Sequence, residues 1–109
     1  MRDSAQQITI DNMQLNKDQR KHLVSLAHSR KPIVRVGQKG LTDNVVTELK
    51  AALKAHELVK TRLAGQDRDA RTTMIEQLCE LCQCECIQSI GQSATFFKRN
   101  TRRPVIVLP

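Results

Sequence analysis

Val36-Gly37-Gln38-Lys39-Gly40-Leu41-Thr42 is the stretch of this sequence best equipped to hold a ligand. Two glycines bracket two polar residues where a short β-branched run ends and a helical pattern begins. Glycine has no side chain to keep a backbone away from a ligand, and it tolerates positive φ. The helix that follows offers free N–H groups and a partial positive charge to an anion. Lys39 adds a mobile point charge at the apex. Together these parts can hold a phosphate. The same residues also suit a plain tight turn with Lys39 as a solvated tip, so a GxxG pattern alone does not choose between the two.

A second cluster, "CELCQCEC", carries all four cysteines: Cys79, Cys82, Cys84 and Cys86. CxxC is the usual half of a four-cysteine zinc site, but such a site draws its second pair from another segment. Here there is one segment, so the cysteines are expected to be small core or edge thiols with no metal. A disulfide within so short a run would constrain the unfolded chain little, and a cytosolic protein meets a reducing pool. A thiol-based redox or metal-responsive protein built on Cys79–Cys86 is the alternative function from another class. The histidines, His22, His28 and His56, do not cluster and suit capping or packing. No Ser-His-Asp order, paired catalytic carboxylates or complete phosphate loop can be assembled. The chain therefore reads as a non-enzyme with no cofactor and no small-molecule substrate.

The elements that must position these residues follow from periodicity. Asn16 is a plausible N-cap with Gln19 three residues on to answer it. In the helix they open, Leu23, Leu26 and Ala27 share one face and Lys17, Lys21 and His28 the opposite one. Pro32 bars continuation, and "PIVRV" reads as a strand. Thr42 can cap a second helix with Asp43 at its positive end and a buried stripe of Val45, Val46, Leu49, Ala52 and Leu53. Lys50 and Lys54 fall one turn apart on its outer face. "LVKTRLA" over 58–64 alternates as a strand, and Asp67 to Cys82 is a third helix with Ile75, Leu78 and Cys82 inward. "CIQSIG" and "ATFFKR" are strands, with "VIVL" over 105–108 a further candidate. The expected fold is α/β: one domain in α-β-α-β-α-β-β order, with helices packed on a mixed four-stranded sheet. Strands joined through helices should pair in parallel, and the last two should form a hairpin around Gly91-Gln92-Ser93. Residues 1–14 show no period and are expected to be a flexible N-terminal extension ahead of a domain over 15–109.

Eighteen Lys and Arg against eleven Asp and Glu give the 109-residue chain a net charge of +7. Basicity of this size favours a polyanion, either nucleic acid or an anionic membrane surface. No apolar run approaches the ~20 residues of a membrane span, and the start lacks the layout of a signal peptide. A cytoplasmic protein is expected, with no membrane partner. There is no Trp or Tyr, and the two Phe are adjacent, Phe96 and Phe97. Neighbours on a strand face opposite ways, so at most one can be a stacking platform of the kind sheet-based RNA readers use. Phosphate and shape should dominate any RNA contact. Arg99, Arg102 and Arg103 form a basic tail that is either a solvated connector or an extension of that contact.

The stretch from Leu23 to Lys60 closely resembles the CRM domain (chloroplast RNA splicing and ribosome maturation), in particular the small bacterial YhbY family. The matching elements are "LAH" at 26–28, "KP" at 31–32, "VGQKGLT" at 36–42 and "HELVK" at 56–60, with "DR" at 67–68 and "SIG" at 89–91. The resemblance runs over residues 15–99. It implies a fold like the C-terminal domain of bacterial translation initiation factor 3. It also implies a GxxG loop that clamps RNA backbone much as KH domains do. Members of the family associate with precursors of the large ribosomal subunit, so the implied partner is ribosomal RNA or such a precursor, met by a monomer. Carried onto this chain, the site falls on Gly37, Gln38, Lys39 and Gly40, flanked by Arg30, Lys31 and Arg35 and by Lys17 and Lys21. Two departures stand out: Gln83 occupies the place where relatives usually close the third helix with glycine, and the usual tyrosine of the last strand is replaced within Phe96-Phe97-Lys98-Arg99.

Overall fold

Asn16 opens the first helix by the expected capping box. Its Oδ1 accepts from Gln19 N at 2.8 Å, and Gln19 Oε1 accepts from Asn16 N at 3.1 Å. The structure, a computed structural model, describes residues 15–109; the extension expected over 1–14 lies outside the described residues. The elements are α1 (Lys17–His28), β1 (Val34–Val36), α2 (Asp43–His56), β2 (Leu58–Leu63), α3 (Arg68–Cys82), β3 (Glu85–Ile90) and β4 (Ser93–Phe97). Side-chain caps start the later helices too: Thr42 Oγ1 accepts from Val45 N, and Asp67 Oδ1 accepts from Ala70 N. Gln83 closes α3 in the left-handed region at φ 54°, ψ 51°. That is the conformation a helix-ending glycine usually supplies.

The strands form one sheet in the order β1-β2-β4-β3. β1 and β2 are parallel, while β4 is antiparallel to both β2 and β3. The parallel pairing expected of helix-linked strands therefore holds for β1 with β2 and fails for β2 with β3, because β4 inserts between them. Burial explains the order. Ala94 to Phe97 of β4 are all buried, whereas β3 is half-buried over Glu85–Gln88 and exposed at Ser89 and Ile90. A strand apolar on both faces gains most from the centre of a sheet covered on both sides. The hairpin between β3 and β4 forms as expected and turns at Gly91, φ +56°.

The two faces carry separate cores. α2 and α3 cover one, where Val34, Val36, Leu49, Leu53, Leu63, Leu78 and Phe96 are buried. α1 covers half of the other, packing Leu23 and Ala27 on Leu58 and Phe97. Phe96 and Phe97 thus face opposite ways and both are buried, which leaves neither as a stacking platform. The strand expected over 105–108 does not form. Ile106 and Leu108 instead fold back against the α1 core.

Glu57 is the reason the tail folds back. It follows α2 at φ 65° and is wholly buried. Its carboxylate accepts from Asn100 N at 2.6 Å, Val105 N at 2.8 Å and Ile106 N at 2.7 Å. Its backbone carbonyl accepts from Lys98 N at 2.9 Å. Arg99, read in the sequence as part of a basic tail, turns inward, 3.5 Å from Glu57 Oε1, and donates to Ile106 O at 2.6 Å. A buried carboxylate needs this many donors, since leaving it unpaired would cost several kcal/mol (on the order of 3–5).

Candidate nucleic-acid interface

The parallel strands β1 and β2 end side by side, and a loop leaves each. Ligands of open α/β sheets commonly meet the chain outside the carboxyl ends of parallel strands. After β1, Gly37 to Gly40 close a turn in which Gly40 N donates to Gly37 O at 3.0 Å. Gln38 and Lys39 stand exposed at its tip. The loop after β2 braces it: Gln66 Nε2 donates to Gly37 O at 3.1 Å, and Ala64 N to Val36 O at 3.1 Å. Gly65 lies so close that a Cβ there would come within 3.0 Å of Gln38 Cγ. Arg71 in turn holds Gln66 O at 2.7 Å.

The two glycines of the turn are glycines for different reasons. Gly40 is buried at φ +77°, and a Cβ would meet Met74 Cε of α3 at 3.1 Å. The fold requires it. Gly37 is exposed, has no positive φ, and has nothing within 4 Å of where a Cβ would stand. The fold has no use for glycine there. The space kept open at Gly37 faces solvent, where an approaching ligand would meet bare backbone.

The helix N-terminus contributes less than its position suggests. Thr42 already caps α2 with Oγ1, and Asp43 occupies its first turn. An anion is therefore better placed over the turn than on the helix axis.

Cations gather on the sheet face next to the turn. Arg35 and Arg62 are register partners on β1 and β2, so their side chains leave the same face about 4.8 Å apart at the backbone. Both are exposed, and the row continues through Ser93 to Ile90, which is 59% exposed. α1 stops short of this half of the face. Like charges on directly opposed residues destabilise a sheet, so the fold gains nothing from the arginine pair. Arg62 was not among the residues singled out in the sequence. Its signal was the alternation of "LVKTRLA", which puts Lys60 and Arg62 on one face.

Among the residues singled out, the structure brings together Gly37, Gln38, Lys39, Gly40 and Arg35. Arg30 and Lys31 sit at the other end of β1. Arg30 Nη1 donates to Leu58 O at 2.8 Å, which ties the α1–β1 connection to the start of β2. Lys17 and Lys21 lie exposed on α1, which is anchored by the Arg20–Glu85 ion pair over the start of β3. They flank the opposite end of the sheet from the turn.

The cysteines disperse into packing. Cys82 is buried with Sγ 3.9 Å from Val46 O, and Cys84 is buried with Sγ 3.7 Å from Leu78 O. A shared hydrogen bond with Cys79, together with burial, pushes the Cys84 thiol up, and burial pushes Cys86 up to about 11. Among the described residues no group of three or more His, Cys, Asp or Glu could hold a metal ion. No helix among them is long and apolar enough to cross a membrane.

The family model described as the CRS1 / YhbY (CRM) domain matches residues 15–98. A Pseudomonas aeruginosa protein named a probable RNA-binding protein is 38% identical over 90 residues, which is 83% of this chain and 86% of that protein. A Haemophilus influenzae RNA-binding protein is 33% identical over 84 residues, 77% of this chain and 85% of its own. The probable RNA-binding protein YqeI of Bacillus subtilis is 30% identical over 95 residues, 87% of this chain and 99% of its own. The solution structure of a hypothetical Staphylococcus aureus protein, titled as a candidate RNA binder, is similar with a TM-score of 0.75 at 28% identity. That match covers 88% of this chain and all of the other. The chain belongs to the CRS1/YhbY (CRM) domain family.

Proposed function

We propose that this chain is a non-catalytic, monomeric, cytoplasmic RNA-binding protein that acts on precursors of the large ribosomal subunit. In this reading the Gly37–Gly40 turn meets the sugar-phosphate backbone, Lys39 meets a phosphate, and Arg35 with Arg62 extends the contact along the sheet face. Arg30, Lys31, Lys17 and Lys21 widen the positive field at longer range. The RNA-binding names of the relatives support the partner class. The single observation that carries the site is Gly37, a glycine whose missing side chain answers no need of the fold. With both phenylalanines buried, recognition rests on phosphate and shape, as in other proteins that read structured RNA without stacking.

The test is binding to precursor large-subunit RNA across a salt series, for the wild type, Gly37→Asp and Lys39→Glu. Neutralising four to six phosphates predicts a log K against log salt slope of about −3 to −5. Each variant should lose tenfold or more, about 1.4 kcal/mol, with its thermal midpoint unchanged. A near-flat slope, or full binding by both variants, would remove the turn from the interface.

A further inference from the structure

The tail that Glu57 pins back forms one wall of a cleft of about 410 Å³ at the other end of the sheet. Its second wall is the last half of α2, bearing Lys50 and Lys54, and its floor is Leu53 and Cys82. Every charged side chain lining it is a cation: Lys50, Lys54, Lys98, Arg99 and Arg102. Arg99 answers Glu57, and among the described residues none of the other four makes an ion pair. Burial pushes the Cys82 thiol of the floor up, and the nearby Lys50 and Lys98 charges offset part of that rise.

The cleft is built, not a collection of loose lysines. Lys98 N bonds to Glu57 O, Asn100 N bonds to the Glu57 carboxylate at 2.6 Å, and Asn100 Nδ2 reaches Lys54 O at 3.5 Å. These contacts hold the Lys98–Arg102 wall opposite α2. Four uncompensated cations facing one another repel, and an anion in the cleft would relieve that repulsion.

We propose that this cleft is a second phosphate-binding site, which takes a further backbone segment of the same RNA. The proposal rests on the RNA reading above. The cleft lies past Leu58 while the glycine turn lies past Val36, the partner of Leu63. The length of β2, about 17 Å, separates them, so one folded RNA can touch both. An acidic protein partner fits less well, because protein interfaces centre on apolar and aromatic residues. Here no aromatic side chain lines the cleft, and five cations surround the Leu53 and Cys82 floor. The basic tail thus gains a place: it does not border the glycine turn but opposes it.

The experiment compares Lys50→Glu/Lys98→Glu, both exposed positions, with Lys39→Glu and the wild type on precursor large-subunit RNA across salt. Circular dichroism melts confirm that each folds. The cleft variant should bind about tenfold more weakly near 0.15 M salt, with a slope shallower by about 1.5, the loss of two phosphate contacts. The Lys39→Glu loss should add to it, as expected for sites with no shared partner. If the cleft variant keeps full affinity and slope while Lys39→Glu weakens binding, the second site is wrong and the RNA reading stands. If neither variant changes binding, both fall. If adenosine monophosphate alone saturates the cleft in amide chemical-shift titrations while the cleft variant still binds RNA normally, the site belongs to a free nucleotide and the RNA assignment is overturned.

Discussion

The two ends of β2 treat the residues of their motifs in opposite ways. At the Leu58 end, "HELVK" contains a residue the fold cannot spare: Glu57 is buried, sits at positive φ, and holds three backbone N–H groups and an arginine. At the Leu63 end, "VGQKGLT" contains residues the fold does not use: Gly37 has open space around it, Lys39 is an exposed tip, and Arg35 stands opposite Arg62. Both runs read as signature motifs. The structure separates residues the fold needs from residues it leaves unused.

The sharpest way to break this comparison is at Glu57. Glu57→Ala leaves Arg99 and the N–H groups of Asn100, Val105 and Ile106 without their acceptor, and should cost about 3–5 kcal/mol. Urea melts followed by circular dichroism measure this directly. The amides of residues 98–106 should lose their hydrogen-exchange protection first, since the carboxylate is what holds that segment. A loss below about 1 kcal/mol, the middle of the range for ordinary substitutions, would mean that the tail is held by Ile106 and Leu108 packing instead.

Next in size is the contrast inside the turn. Gly40→Ala puts a Cβ at φ +77° and 3.1 Å from Met74 Cε, and should destabilise by about 1–2 kcal/mol. Gly37→Ala meets neither obstacle and should fall within about 0.5 kcal/mol of wild type. Denaturation midpoints of the two variants, measured side by side, decide it. Equal losses would make Gly37 as structural as Gly40 and would remove the main support for the turn as a contact.

Much of this was legible in the sequence where local chemistry decides. Asn16 with Gln19, Thr42 and Asp67 mark the helix starts because capping is a matter of a few adjacent residues. Gln83, at the place where the family resemblance leads one to expect glycine, adopts the left-handed conformation. The glycine turn was visible as a strand-to-helix turn, although not the division of labour between Gly37 and Gly40, which depends on Met74 of α3. What stayed hidden was everything set by contacts distant in sequence. The insertion of β4 between β2 and β3 follows from burial on two faces, which a short strand does not reveal. Glu57 drew no reading of its own within "HELVK", because its partners lie more than forty positions away. Arg62 gained meaning only from its register with Arg35, and the lysines of α2 only from the wall that Glu57 holds in front of them.

The smallest expected effect is the most pointed, because stability and binding should move in opposite directions. Arg62→Thr removes a like-charge neighbour from Arg35 and places a β-branched residue on a strand. It should stabilise the chain by a few tenths of a kcal/mol, about 0.3. RNA affinity should fall three- to tenfold with a slope shallower by about 0.7–0.9, the signature of one lost phosphate contact. Lysine at the same position should restore the slope, since a point charge suffices for a phosphate, while recovering less of the affinity if the guanidinium fork is used. A variant that gains stability and binds RNA as before would make the arginine pair a tolerated flaw of the sheet. One that loses stability would show that Arg62 supports the fold, and would move the contact surface back to the turn alone.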